Sequence, residues 1–216
     1  ILLVAMYEAT TGEKIEETIM NEFDGIPNEE AKKLYEFICG LICYSIQFPR
    51  DLARFLYGTK LRDIKSEHLA GIIDERRGLL FPRHKTIAEI LWRERNADYE
   101  TEMETLAEYL TELSYRRGDN NSINLDGFSS QVFKLLTTHP NLKPISLRFL
   151  IDIVDGLSNV IEYEPTLRLY KKAGQYLEKQ GETGRAISLY KKILEKYPNQ
   201  DDSVRSFIRL SKALQK

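Results

Sequence analysis

Cysteine, histidine and tryptophan are scarce: the 216 residues hold two, three and one of them. Two cysteines cannot make a disulfide-stapled scaffold. Their spacing, Cys39 and Cys43, puts both on one face of a helix, where a bridge fits poorly. Set among Leu34, Phe37, Ile38, Leu41 and Ile42, they read as two small core hydrophobes, and a metal site there would want more ligands nearby. His68, His84 and His139 are scattered and form no HExxH pair. An excess of one charge is missing too. The 31 Lys+Arg against 33 Asp+Glu leave a net charge of -2, which argues against a generic nucleic-acid binder. No apolar run approaches the ~18 residues needed to cross a bilayer; the longest, Ile1–Met6, is stopped by Glu8. There is no GxSxG, no G-x-x-x-x-G-K-[ST] phosphate loop and no secretory signal. These absences predict a soluble, cytoplasmic protein, and a chain that is not an enzyme by itself and holds no metal or cofactor of its own. The chain opens at Ile1 in mid-pattern, without an initiator Met, and reads as an internal piece of a longer one.

What is present is helical periodicity. With 42% hydrophobic residues the chain can bury a real core. Residues 28–46 open with Asn28 as N-cap and Glu29 and Glu30 in the first turn, and carry an apolar stripe of Ala31, Leu34, Tyr35, Ile38, Leu41 and Ile42. Pro49 starts a short helix, Asp51 to Tyr57, that stops at Gly58. Ser66 is expected to cap a third, Glu67 to about Arg77, with Leu69, Ile72 and Ile73 facing inward. Gly78–Arg83 reads as extended, and a helix follows from about Lys85 to Arg95. Three helices and then a short strand region is the order of a winged helix-turn-helix.

From Asp98 onward helices dominate. Met103, Leu106, Leu110 and Leu113 mark one, 117–122 is a polar loop, and Phe128 to Thr137 is another. Phe149-Leu150-Ile151-Asp152 imitates a Mg²⁺-holding strand. Leu147, Leu150, Ile151, Val154 and Leu157 instead recur at helical spacing, which predicts a core-facing helix. Residues 167–200 are sharper. Counted from Leu167, Tyr170 is position 4, Ala173 is 7, Gly174 is 8, Leu177 is 11, Ala186 is 20, Tyr190 is 24 and Pro198 is 32. This resembles the tetratricopeptide pattern of ~34 residues. Small Ala173, Gly174 and Ala186 let two helices approach, and the tyrosines fill the gaps. One such unit cannot bury its faces alone, so helices at 128–160 are expected to precede it and a helix from Asp201 to follow.

The segment Leu2–Gly12 resembles the helix that closes the nucleotide-binding part of prokaryotic STAND NTPases. Residues 29–58 and the run Gly78-Leu79-Leu80-Phe81-Pro82-Arg83-His84-Lys85-Thr86-Ile87-Ala88-Glu89 resemble the winged helix that follows in that class. The class then typically appends a repeat sensor, as 97–216 resembles. The resemblance implies a mainly α architecture: a closing helix at 1–24, a winged helix at 25–96, irregular helical repeats at 97–160, and at 161–216 tetratricopeptide hairpins of a truncated α-solenoid. It implies that His84, at the place of the family's phosphate-sensing His, contacts the β-phosphate of ADP held by the parent chain, with Arg83 beside it. The family's flanking Met and Asp are here Arg83 and Lys85, so the His alone carries over.

The function expected on this basis is the regulatory and sensor section of a STAND signalling ATPase, of the kind used in prokaryotic antiphage defence. The winged helix would couple the ADP/ATP state of an upstream nucleotide-binding domain to repeats that bind a protein or peptide trigger, with homo-oligomer formation on activation. Arg168, Lys171, Lys172, Lys191 and Lys192 are the exposed candidates for that contact; as a bland alternative they are a solvated face. Two other readings stand beside it. One is a DNA-binding regulator with its recognition helix near 51–57, where apolar residues and Asp51 make a poor groove reader. The other is a free-standing tetratricopeptide adaptor.

Overall fold

The computed structural model describes residues 14–115, 125–158, 163–198 and residue 209. The segments 2–12 and 117–122 and the helix expected from Asp201 lie outside the described residues, Arg209 excepted. The described part is mainly helical, with nine helices of eight residues or more and one small sheet. In chain order these are α1 (Ile15–Asp24), α2 (Glu29–Cys43), β1 (Phe48–Pro49), α3 (Arg50–Tyr57), β2 (Ile73–Arg76), β3 (Leu79–Pro82), α4 (Lys85–Arg95), α5 (Tyr99–Tyr115), α6 (Asp126–Thr138), α7 (Lys143–Ser158), α8 (Tyr163–Lys179) and α9 (Thr183–Lys196). The chain forms two compact units, Ile1–Leu106 and Ala107–Lys216, divided within α5.

In the first unit the local signals act as expected. Asn28 caps α2 by accepting the Ala31 N–H at 2.9 Å, and the acidic first turn of Glu29 and Glu30 suits the helix dipole. Pro49 stands at the N-cap of α3, and Gly58, at φ 55°, ends it. One expected helix is absent. Between Gly58 and His68 the chain makes a 3-10 turn, a single α turn at Leu61–Asp63 and a π turn, and Ile73–Arg76 is strand rather than the end of a helix from Glu67. Leu69 is buried as expected, but Ile73 pairs across the sheet with Pro82. The cause is the turn after it. Arg77 and Gly78 both take positive φ, 54° and 74°, the two-residue connection whose twist suits a tight antiparallel hairpin. The strands lie in the order β1-β3-β2, all antiparallel, with Phe48 opposite Leu80 and Glu75 opposite Leu80 from the other side.

The core of this unit lies around α2. Gly40 lets the Trp92 ring of α4 sit where a Cβ would come within 2.6 Å of it. Phe37 meets Phe48 edge-on at 5.1 Å. Glu36, buried within the same helix, pairs with Arg95 at 3.2 Å, and that guanidinium lies 5.3 Å from the centre of the Phe23 ring. This pair, with the ring contact, ties α1, α2 and α4 together; the cost of breaking it falls on the Glu36 side, since that side chain is 8% exposed and Arg95 42%.

In the second unit α6 buries Phe128, Val132 and Leu136, and α7 buries Leu150, Ile153, Val154 and Leu157. Phe149–Asp152 is therefore helix, as its spacing predicts. Gly156 lies against the Leu110 carbonyl, so α5 and α7 touch backbone to backbone. Helices α8 and α9 pack through Tyr170, Ala173, Leu177, Ala186, Leu189, Tyr190 and Ile193, all fully buried. Gly174 receives the Tyr190 ring 2.6 Å from where its Cβ would be. The link between them is a helix stop: Gly181, at φ 81°, donates to the Glu178 carbonyl and Glu182 to that of Leu177, which satisfies the last carbonyls of α8.

Candidate functional site

The sequence-predicted phosphate contact falls at the junction of β3 and α4. Arg83 leaves the sheet with its N–H donating to the Ile72 carbonyl at 2.9 Å, and its side chain is exposed. His84 is the N-cap residue of α4, extended at φ -135° and ψ 131°, and its imidazole makes no capping bond. It too is exposed. Lys85, the first residue of the helix, pairs with Glu89 one turn on at 3.3 Å. The first turn of α4 contains no acid, whereas α1 begins with Glu16 and Glu17 and α2 with Glu29 and Glu30. Three basic side chains thus stand at the positive end of a helix dipole, where an anion is favoured and cations are not.

Beside this junction opens a cavity of about 290 Å³, lined by Ile42, Ser45, Gln47, Phe81, Pro82 and Lys85. Its walls are the end of α2, the turn into β1, and β3. Ser45 holds the turn at φ 59°. Lys85 faces this space, whereas Arg83 and His84 are not among the residues lining it. The two thiols are on α2, and neither lines this cavity. Cys39 is buried, and burial first, then the neighbouring Cys43, pushes its ionisation well up. Cys43 donates to the Ala88 carbonyl of α4 at 3.7 Å, and burial, with Glu89 next, raises its pKa to about 12. Thiols held protonated in this way are poor nucleophiles and poor metal ligands.

The candidates on the α8–α9 hairpin do not form one cluster. Arg168 and Lys172 are exposed on α8, Lys171 beside them is half-buried, and Lys191 is exposed on α9. Lys192 departs from its expected exposed place: it is half-buried and ion-paired with Asp155 of α7. It belongs to a polar cluster that sequence reasoning missed. The Tyr170 hydroxyl donates to Asp155 at 2.7 Å, lies 3.0 Å from the Ser158 hydroxyl, and accepts from Lys196 at 3.1 Å. The same ammonium lies 5.2 Å from the centre of the Tyr170 ring. Burial pushes the Tyr170 hydroxyl above the usual tyrosine range, and Asp155 acts in the same direction. This cluster binds α7 to the α8–α9 hairpin. Its sequence signal was the pair Lys192 and Lys196, four apart on one face of α9, but nothing local names Asp155 as their partner.

Comparison with known proteins finds no matching family model, no matching curated protein and no matching solved structure. Among the described residues no helix is long and apolar enough to cross a membrane, and no group of three His, Cys, Asp or Glu side chains is placed to hold a metal ion.

Proposed function

We propose that this chain is the regulatory and sensor section of a STAND signalling ATPase, with a winged helix at 25–96 and tetratricopeptide-like hairpins from 161. The winged helix would read the ADP or ATP state of an adjoining nucleotide-binding domain, and the repeats would bind a protein or peptide trigger. The observation that carries the reading is the start of α4, where Arg83, His84 and Lys85 gather at a helix end without a capping side chain or an acidic first turn. Such an end favours a phosphate. Support also comes from the element order α2-β1-α3-helical turns-β2-β3 with its β1-β3-β2 sheet, and from the α8–α9 hairpin that follows.

The DNA-binding alternative is weakened by the same geometry. In a winged helix the third helical element would enter the groove, and here that element is the broken run 58–68. Its Lys60 pairs with Glu30 at 3.4 Å, and its Lys65 with Glu75. Helix α3, the other candidate reader, turns Leu52, Ala53 and Leu56 into the core.

The test is His84→Ala in the protein that joins this chain to its nucleotide-binding domain. Retained ADP, measured after purification, is expected to fall and basal activation to rise. Unchanged nucleotide content and unchanged basal activity would overturn the reading.

A further inference from the structure

We infer that the cavity beside Lys85 binds a small organic acid, a single carboxylate on an apolar body of about one ring. The inference does not draw on the nucleotide contact proposed for His84, since Arg83 and His84 are not among the residues lining this space. Ile42, Phe81 and Pro82 line it as buried or half-buried apolar side chains, and Ser45, Gln47 and Lys85 as exposed polar ones. The cavity thus has an apolar floor and a polar rim. Its volume of about 290 Å³ lies at the small end of ligand cavities, which run from ~300 to ~1,000 Å³, and suits a body smaller than a nucleotide.

The fold places these groups for local reasons. Phe48 pairs with Leu80, and both are fully buried. Alternation along an extended chain turns their neighbours Gln47 and Phe81 to the other face, where both line the cavity. Ser45 is held at φ 59°, its N–H donating to the Ile42 carbonyl at 2.9 Å, and the Ile46 N–H donates to that of Leu41 at 2.9 Å. These bonds satisfy carbonyls at the end of α2, and buried Ile46 anchors the turn. Walls fixed in this way lower the ordering cost of binding.

Charge selects the ligand. No acidic residue is among those lining the cavity, and Lys85 gives it one positive charge. Glu89 pairs with Lys85 at 3.3 Å, but the two side chains are 49% and 61% exposed, and Lys ahead of Glu is the weaker order of an i,i+4 pair. Such a pair yields to a carboxylate whose body also covers Ile42 and Phe81. Glu102, which with Glu89 acts on Cys43 beside Ile42, is engaged by the Tyr44 hydroxyl. One lysine matches one negative charge rather than the several of a polyphosphate. The Ser45 hydroxyl and the Gln47 amide supply further hydrogen-bond donors for the carboxylate oxygens.

The test uses the 216-residue chain and para-fluorobenzoate, followed by fluorine NMR. Saturable, salt-sensitive binding is expected, weakened about fivefold or more in Lys85→Met and largely retained in Lys85→Arg. Gln47→Trp, at an exposed position where a larger side chain would fill the cavity, should abolish it. Lys60→Met, also exposed and in the first unit, should leave it unchanged. The uncharged para-fluorobenzyl alcohol should bind about fivefold or more weakly than the acid. Equal binding by Lys85→Met and the wild type overturns the proposal. So do equal binding of the alcohol, unchanged binding in a folded Gln47→Trp chain, and absence of binding by the wild type at about 10 mM probe. A short peptide ending in a free phenylalanine carries the same carboxylate beside a ring; tighter binding of that peptide than of the acid would assign the cavity to a chain terminus and overturn the small-acid reading. None of these measurements involves nucleotide, so their failure is distinct from a failure of the His84→Ala test.

Discussion

Both units seat an aromatic ring on a glycine, Trp92 on Gly40 and Tyr190 on Gly174. The difference lies in what brings the partners together. Gly174 and Tyr190 sit on consecutive helices joined by one tight turn, so a short stretch of sequence contains everything the contact needs. Gly40 and Trp92 lie on α2 and α4, with all three strands and α3 between them in the chain. Their contact exists only once the unit has assembled. Small-to-large complementarity thus serves two purposes: it closes a local hairpin in one unit and holds together distant segments in the other.

The comparison can be broken most sharply at the glycines. Gly40→Val is expected to cost about 3 kcal/mol, near the upper end of overpacking penalties, because α2 is hemmed in by α4 and the sheet. Gly174→Val should cost less, about 1–2 kcal/mol, since the α8–α9 turn can open to admit the methyls. Denaturant midpoints would show the order; equal losses would mean that chain separation does not govern how each contact yields. Tyr170→Phe comes next. It removes the hydroxyl that joins Asp155, Ser158 and Lys196, at a cost of about 1–2 kcal/mol. Hydrogen exchange should quicken in α7 and α9 and stay unchanged in α2 and α4. Faster exchange in α2 would show that the two units are not energetically separate.

The smallest effect lies in the first unit. The Lys65 hydrogen bond first, and the charges of Lys65 and Arg50 with it, hold the Glu75 carboxyl below the usual carboxylate range. A depressed folded-state pKa contributes stability that is full above the unfolded value and is lost as pH falls through the folded one. For a partly exposed pair this amounts to less than about 1 kcal/mol. Glu75→Gln should therefore lower the denaturation midpoint slightly at pH 7, and the difference should vanish in acid. A difference that grows as pH falls would contradict the assignment.

Much of the architecture is legible in single residues. Asn28, Pro49, Gly58 and the Gly181 turn mark their helix boundaries from sequence alone, because capping and positive φ depend on the residue and its immediate neighbours. The 69–73 segment shows where such reading stops. Leu69, Ile72 and Ile73 have helical spacing, and a short apolar run fits strand and helix equally well. What separates them is the Arg77–Gly78 turn and the presence of β3 to pair with, and pairing is a property of two segments, not of one. The short β1 was missed for the same reason.

The candidate sites divide along the same line. The basic start of α4 and the placing of Arg168, Lys171 and Lys172 on one helix follow from sequence, since helical spacing is a local property. The cavity beside Lys85, the hold of Cys43 on the Ala88 carbonyl, and the capture of Lys192 by Asp155 were decided by tertiary structure. Sequence determined which residues could lie together on one helix; only folding determined which carboxylate, carbonyl or ring they would meet, because that meeting joins groups far apart in the chain whose charge and volume are matched only once the helices are packed.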